Sequence, residues 1–107
     1  MTGQAGDEKM LTPEERIRKR FRFYGLVQGV GFRYLARHAA AAFGATGWVR
    51  NEPDGSVSME VQGTREQIAR VLDAIERGRY VRIEAREEKS IPAEEDERGF
   101  RTRDDRW

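Results

Sequence analysis

The stretch FRFYGLVQGVGFRYLARHAAAAFG, residues 21–44, decides the fold, because a strand pattern in it is followed directly by a helix pattern. Phe21 and Phe23 alternate with arginine and tyrosine, which is the two-residue period of a strand with one buried face. Apolar residues then recur at helical spacing over residues 32–43, and Gly44 is a typical residue to end a helix. The stretch therefore predicts a β-strand, a glycine-rich turn and an amphipathic helix in immediate succession.

A β-hairpin is predicted next along the chain. Residues 46–51 and 57–61 both have strand patterns, with bulky apolar side chains in the first and strict alternation in the second. Between them, Pro53 presets one torsion of a tight turn, and Asp54 and Gly55 accept a positive φ. The two strands are therefore expected to be antiparallel neighbours.

A second helix and two more strands complete the pattern. Thr64 and Gln67 have the spacing of a capping box, which predicts a helix over residues 64–77. Residues 81–86 alternate as a fourth strand, and residues 100–102 indicate a short fifth strand at a sheet edge. The order β-α-β-β-α-β predicts an α+β fold, the ferredoxin-like sandwich. Its four- to five-stranded antiparallel or mixed sheet carries both helices on one face.

The residue content excludes several kinds of function. Twenty Lys and Arg against nineteen Asp and Glu give a formal net charge of +1, so the total charge does not favour nucleic acid or an anionic membrane as partner. The absence of cysteine excludes disulfides and thiolate chemistry, and His38 alone cannot form a multi-histidine metal site. No apolar stretch approaches the roughly 20 residues of a membrane span. We therefore expect a cytoplasmic protein without nucleic-acid or membrane partners. We also expect a monomer without cofactor or metal.

The 107 residues are the length of a single domain. The first part of the chain is polar, and it has no apolar core ahead of a cleavage site, as a secretory signal would. We predict a flexible N-terminal tail over residues 1–18, one domain over residues 19–103, and a C-terminal tail over residues 104–107.

Three charged or polar features are interpreted as solvated surface. The basic run at residues 16–20 is expected to be the solvated start of the first strand. The acidic run at residues 94–97 belongs to a polar loop predicted over residues 90–99. His38 lies on the first predicted helix away from its apolar face, so an exposed histidine is expected there rather than a catalytic base.

Candidate chemistry is concentrated in the segment GLVQGVGFR, residues 25–33, between the first strand and the first helix. Backbone N–H groups in a glycine-rich turn can converge on an anion, and the following helix adds unpaired N–H groups and the positive end of its dipole. Arg33 in the first helical turn can reach the same anion, and its planar guanidinium suits phosphate. The segment indicates a phosphate-binding site, although glycines that serve only a tight turn and a solvated Arg33 would give the same pattern.

Two separate motifs resemble those of the acylphosphatase family. The first is Gly25-x-Val27-Gln28-Gly29-Val30-x-Phe32-Arg33, which resembles the phosphate-binding signature of that family. The second is Gly47-Trp48-Val49-Arg50-Asn51, followed by Asp54-Gly55-Ser56-Val57 and by Gly63. The resemblance covers residues 19–102, with both motifs in the right order and at the right spacing.

The resemblance implies an acid-anhydride hydrolase that converts a small-molecule acyl phosphate into a carboxylate and inorganic phosphate. It implies that Arg33 binds the phosphate and that Asn51 orients the attacking water. The implied substrate-binding residues are Gln28, Gly29, Val30, Gly31 and Phe32, through their backbone, together with Arg33. Without the resemblance, Asn51 would be interpreted as a strand-end residue that serves the following turn.

Two other functions remain open. A non-catalytic domain would bind an acyl or carbamoyl phosphate and turn it over slowly. A ferredoxin-like RNA-binding domain would stack bases on aromatic side chains of its central strands, and Phe21, Phe23 and the sequence around Phe32 imitate fragments of such a motif. The helix-start position of Phe32 and the near-zero net charge argue against RNA.

Overall fold

A computed structural model of the chain describes residues 15–103. The elements in chain order are β1 (Ile17–Leu26), α1 (Phe32–Phe43), β2 (Thr46–Asn51), β3 (Val57–Gly63), α2 (Arg65–Glu76), β4 (Arg82–Ile91) and β5 (Phe100–Thr102). The strand order is β4-β1-β3-β2-β5, and all neighbours are antiparallel except β2 and β5, which are parallel. The predicted ferredoxin-like α+β fold is confirmed. Neither described helix is long and apolar enough to cross a membrane.

The core lies between one face of the sheet and the two helices. Phe21 and Phe23 of β1 are fully buried and lie opposite Met59 and Val57 of β3. Both helices add apolar side chains to the same cluster, namely Phe32, Ala36, Ala39 and Ala40 from α1 and Ile68, Val71 and Ile75 from α2. Removing this apolar surface from water stabilises the fold by roughly 25 cal/mol per Å².

The helix boundaries follow the signals in the sequence. The Gln67 N–H donates to Thr64 Oγ1 at 3.1 Å, and the Thr64 N–H donates to Gln67 Oε1 at 2.8 Å, so the predicted capping box is confirmed. Gly44 ends α1 with φ of 80°, in the left-handed region that glycine adopts without steric cost. Within β2, a Cβ on Gly47 would lie 1.9 Å from the Glu60 carbonyl oxygen, so β2 and β3 approach closely only because this residue is glycine.

The basic run at residues 16–20 is not uniformly solvated, and the prediction was wrong at Arg18. This side chain is only 2% exposed. Its guanidinium donates to Glu60 at 2.9 Å, to Gln62 at 3.2 Å and to Glu97 at 2.7 Å. The bond to Glu97 also corrects the prediction of a fully solvated acidic run. Arg18 therefore anchors the segment before β5 to the face of the sheet opposite the helices.

Strand boundaries differ from the prediction at β1 and β4, and β3 ends at Gly63 instead of residue 61. β1 begins at Ile17, two residues before the predicted start of the domain, and β4 continues to Ile91, into the predicted loop. Both strands are longer because they pair with each other: Arg18 of β1 lies opposite Ile91 of β4, and the antiparallel pairing continues from there along both strands. The parts of the predicted tails at residues 1–14 and 104–107 lie outside the described residues.

Candidate active site

One end of the sheet brings the two predicted site segments together. Asn51 is the last residue of β2 and lies opposite Val57, on the same strand face as the buried Val49. Its side chain is therefore on the helix side of the sheet. α1 starts at the same end, where the ring of Phe32 packs against Phe23 with 5.0 Å between centroids. Val57 lies opposite Asn51 on one side and opposite Phe23 on the other. Asn51 and the start of α1 are therefore at the same end of the sheet.

The loop over residues 27–31 joins β1 to α1. Gly29 and Gly31 have φ of 72° and 86°. A Cβ at either position would meet nothing within 4 Å, so these glycines are required by backbone torsion and not by lack of space. Backbone of this kind turns successive N–H groups towards a common point, which is the arrangement of an anion-binding nest.

The N-terminal end of α1 is open to an anion. Gly31 is the N-cap, no side chain caps this end, and the first turn contains no acidic residue. The first-turn N–H groups and the positive end of the helix dipole are thus available to a ligand. Arg33, the second residue of α1, has no carboxylate partner within residues 15–103. Since a cation at this end of a helix is unfavourable, an anion held between Arg33 and the N–H groups would stabilise both.

A cleft of about 190 Å³ opens where the loop, the start of α1 and the end of β2 meet. Its lining consists of Val27, Gly29, Gly31, Phe32, Arg33, Tyr34 and Asn51. The lining contains a cation and no carboxylate. The larger groove of about 600 Å³ includes four carboxylates in its lining, which would repel an anion. The groove of about 500 Å³ is mostly basic, but the helix start beside it, at Arg65, is already capped by Thr64. The small cleft is therefore the better candidate for an anionic substrate.

The Gln28 side chain ties the loop to the hairpin turn after Asn51. Its Nε2 donates to the carbonyl oxygens of Glu52 and Ser56, both at 2.8 Å. The turn itself is closed by the Glu52 N–H, which donates to the Ser56 carbonyl at 2.8 Å. Gln28 therefore fixes the relation between the loop and the strand end that carries Asn51.

The carboxylates of the hairpin turn are held by neighbouring donors. Burial raises the pKa of Glu52, but hydrogen bonds from Ser58 and Arg50 together with the charges of Arg50 and Arg22 outweigh it, so that this pKa lies below its ordinary value. Hydrogen bonds from the Ser56 side chain and backbone lower the pKa of Asp54. Neither carboxyl therefore has the raised pKa typical of a general acid or base. Within residues 15–103, no three His, Asp or Glu side chains are grouped so as to hold a metal ion.

Five of the predicted site residues share the cleft, and two do not line it. The five are Gly29, Gly31, Phe32, Arg33 and Asn51. The Gln28 side chain bonds the turn instead, and Val30 packs against the core. Gln28 and Val30 could therefore contact a ligand only through their backbone N–H groups.

Sequence reasoning missed Val27 and Tyr34 as lining residues. Val27 belongs to the first motif, and Tyr34 follows Arg33 in the first turn of α1, so both positions carried a usable signal. The predicted exposure of His38 is confirmed, and its ring packs on Tyr34 with 4.0 Å between centroids.

The aromatic residues that suggested RNA binding lie in the core. Phe21, Phe23 and Phe32 are between 0 and 1% exposed. None of the three can stack on a base without unfolding the sheet from its helices. These three phenylalanines therefore offer no exposed surface on which a base could stack, whereas Tyr34, the remaining aromatic residue of the imitated fragment, is exposed.

Comparison with known proteins agrees with the geometry. The family model described as Acylphosphatase matches residues 19–102. An acylphosphatase of Salinibacter ruber is 41% identical over 83 residues, which are 77% of this chain and 87% of the relative. An acylphosphatase of Geobacillus kaustophilus is 54% identical over 54 residues, which are 50% of this chain and only 57% of the relative.

A solved structure of an acylphosphatase from Coxiella burnetii is similar over its whole length. It superposes with a TM-score of 0.74 at 27% identity, covering 87% of this chain and 100% of that chain. The family model extends from β1 through β5 and includes the loop, the start of α1 and the end of β2. The chain therefore belongs to the acylphosphatase family.

Proposed function

We propose that this chain hydrolyses acyl phosphates to a carboxylate and inorganic phosphate, with Arg33 binding the phosphate and Asn51 orienting the attacking water. The observation that carries the proposal is the shared cleft, in which Arg33, Asn51 and the glycine loop face the uncapped end of α1. A phosphate with its negative oxygens suits all of these groups.

Phosphate binding would use charge and backbone together. The N–H groups of residues 28–32 and the first turn of α1 donate to the equatorial oxygens, and the Arg33 guanidinium donates to two of them. These oxygens share the charge that develops in the transition state of phosphoryl transfer. Donors that are already in place therefore lower the barrier without reorganisation.

Asn51 would act by position and not as a base, because its amide is neutral. In this mechanism it holds a water molecule in line with phosphorus. The water oxygen forms a bond to phosphorus as the bond from phosphorus to the acyl oxygen breaks. The proton of the water passes to a phosphate oxygen of the substrate, and the acyl group leaves as a carboxylate. A carboxylate is stable at neutral pH, so no general acid is required.

The same proposal includes a cytoplasmic monomer that needs no metal. Arg33 and the backbone donors would stabilise the charge that a metal ion stabilises in many phosphoryl-transfer enzymes. Excess EDTA should accordingly leave the rate unchanged. Sedimentation of the purified chain would test the monomer.

The decisive experiment is hydrolysis of benzoyl phosphate in excess EDTA by the wild type and by Arg33→Ala, Asn51→Ala and Arg37→Ala. Arg37 is a matched control, since it is an exposed arginine of α1 outside the cleft lining. We expect Arg33→Ala and Asn51→Ala each to lower kcat/KM by about 100- to 1,000-fold. Arg37→Ala should stay within about twofold, and circular dichroism should show all variants folded.

Either of two results would contradict the proposal. A folded wild type that does not turn over benzoyl or acetyl phosphate would favour the non-catalytic alternative, which binding of inorganic phosphate would then test. A wild type that is active while both alanine variants retain its rate would refute the residue roles alone.

A further inference from the structure

The cleft is small compared with pockets that enclose a whole ligand. Its volume is about 190 Å³, whereas pockets that enclose drug-sized ligands have roughly 300–1,000 Å³. In the proposed function, the phosphate occupies the loop and Arg33. With the phosphate at the inner end, the acyl group points to the mouth of the cleft and meets the side chains that are exposed there.

Tyr34 is the exposed apolar surface of this mouth. Val27 and Phe32 also line the cleft, but each is only 1% exposed because it belongs to the core. Tyr34 is 58% exposed and follows Arg33 directly in the first turn of α1. Its ring is thus the aromatic surface in the lining that a substrate can cover.

The Tyr34 ring is also held in place. It packs on His38, one turn further along α1, with 4.0 Å between ring centroids and 34° between ring planes. A ring that is already supported loses little conformational entropy when a ligand covers its free side. Flat aromatic groups gain from such stacking beyond the area they bury.

We propose that Tyr34 is the acyl-binding residue of the site, and that it makes the chain prefer acyl phosphates with an aromatic or flat apolar acyl group. This inference rests on the proposed hydrolysis of acyl phosphates. It adds a binding surface for the leaving carboxylate, separate from the groups that hold the phosphate.

The test compares kcat/KM for benzoyl phosphate and acetyl phosphate in the wild type, Tyr34→Ala, Tyr34→Phe and Tyr80→Ala. Tyr80 is a matched control, because it is 62% exposed and lies between α2 and β4, away from the cleft. We expect Tyr34→Ala to lower the ratio of benzoyl to acetyl kcat/KM about three- to tenfold, chiefly through KM for benzoyl phosphate. Tyr34→Phe and Tyr80→Ala should keep the wild-type ratio.

The possible failures are distinguishable. If the wild type hydrolyses both substrates and Tyr34→Ala keeps the ratio, the acyl-binding role is wrong while the proposed function stands. If Tyr34→Ala loses activity equally on both substrates, Tyr34 supports the loop and is not a specificity residue. If the folded wild type hydrolyses neither substrate, the proposed function fails and the acyl-binding role fails with it.

Discussion

Arg33 and Arg18 show how differently two arginines can be used in one small fold. Arg33 lies at the positive end of a helix without a carboxylate partner among the described residues, so its charge is available to a ligand. Arg18 is buried, and its guanidinium donates hydrogen bonds to Glu60, Gln62 and Glu97. The first arrangement favours binding of an anion, and the second favours stability.

Replacing Arg18 should therefore destabilise the fold strongly. In Arg18→Met, Glu60 and Glu97 lose a buried cation, and we expect the free energy of unfolding to fall by about 3–5 kcal/mol. Arg20→Met is the control, because the Arg20 side chain is half exposed and lies 3.5 Å from Glu60. It should cost less than about 1 kcal/mol. Urea unfolding of both variants measures the difference, and equal losses would contradict a special role of Arg18.

Candidate roles could be assigned from the sequence only where a local motif marks the residue. Arg33 and Asn51 each stand at the boundary of an element inside a recognisable motif. Arg18 stands among other charges, and its partners Glu60 and Glu97 are 42 and 79 residues away. Periodicity within one sequence contains no information about contacts of that separation.

At the scale of elements, the loop before α1 and the hairpin after β2 work as one unit through Gln28. In Gln28→Ala, the two bonds to the Glu52 and Ser56 carbonyls are lost, and the loop can shift relative to Asn51. Because a small misplacement of reacting groups is costly, we expect kcat for benzoyl phosphate to fall about ten- to a hundredfold.

The inhibition constant for inorganic phosphate separates this role from a direct binding role. Arg33 and the open end of α1 are untouched in Gln28→Ala, so phosphate inhibition should change much less than kcat. Gln28→Glu provides a second variant, since a carboxylate facing two carbonyl oxygens cannot donate and should impair kcat at least as much. Wild-type kcat in both folded variants would argue that the turn needs no such support.

Element types were predictable here, and element lengths were less so. The apolar periodicity of α1 and α2 and the turn residues of the hairpin predicted those elements correctly. β4 extends over Arg82–Ile91, but most of its side chains are exposed and charged, so the alternation that marks a strand fades after residue 86. Its length is determined by pairing with β1, which the sequence of β4 alone does not reveal.

At the scale of the whole molecule, acid should weaken the fold. Burial raises the pKa of Glu97, but the hydrogen bonds from Arg18 and Thr46 and the charges of Arg18 and Arg101 together outweigh it, so the folded-state pKa lies below the ordinary 4.5. Such a carboxylate contributes stability that is complete above its unfolded pKa and is lost as the pH falls through the folded pKa. We therefore expect the free energy of unfolding to decrease below about pH 4.5.

Urea unfolding of the wild type and Glu97→Gln between about pH 7 and pH 3 measures this contribution. Glu97→Gln should be less stable at neutral pH and should lose less stability on acidification. Some pH dependence should remain, because Glu52 and Asp54 also have lowered pKa values. Parallel curves for the two proteins would show that Glu97 contributes nothing to the acid response.

The exposed charges of β4 also bear on how this chain behaves at high concentration. β4 is an outer strand of the sheet, and ten residues of open backbone are a template on which a second molecule could add a strand. Along it, Glu84, Arg86, Glu87, Glu88 and Lys89 are exposed to solvent. Pairing two such edges would bring these charges out of water, which opposes aggregation into fibrils. The exposed charges that obscure the strand alternation of β4 in the sequence are thus the same charges that oppose pairing of two molecules along this edge.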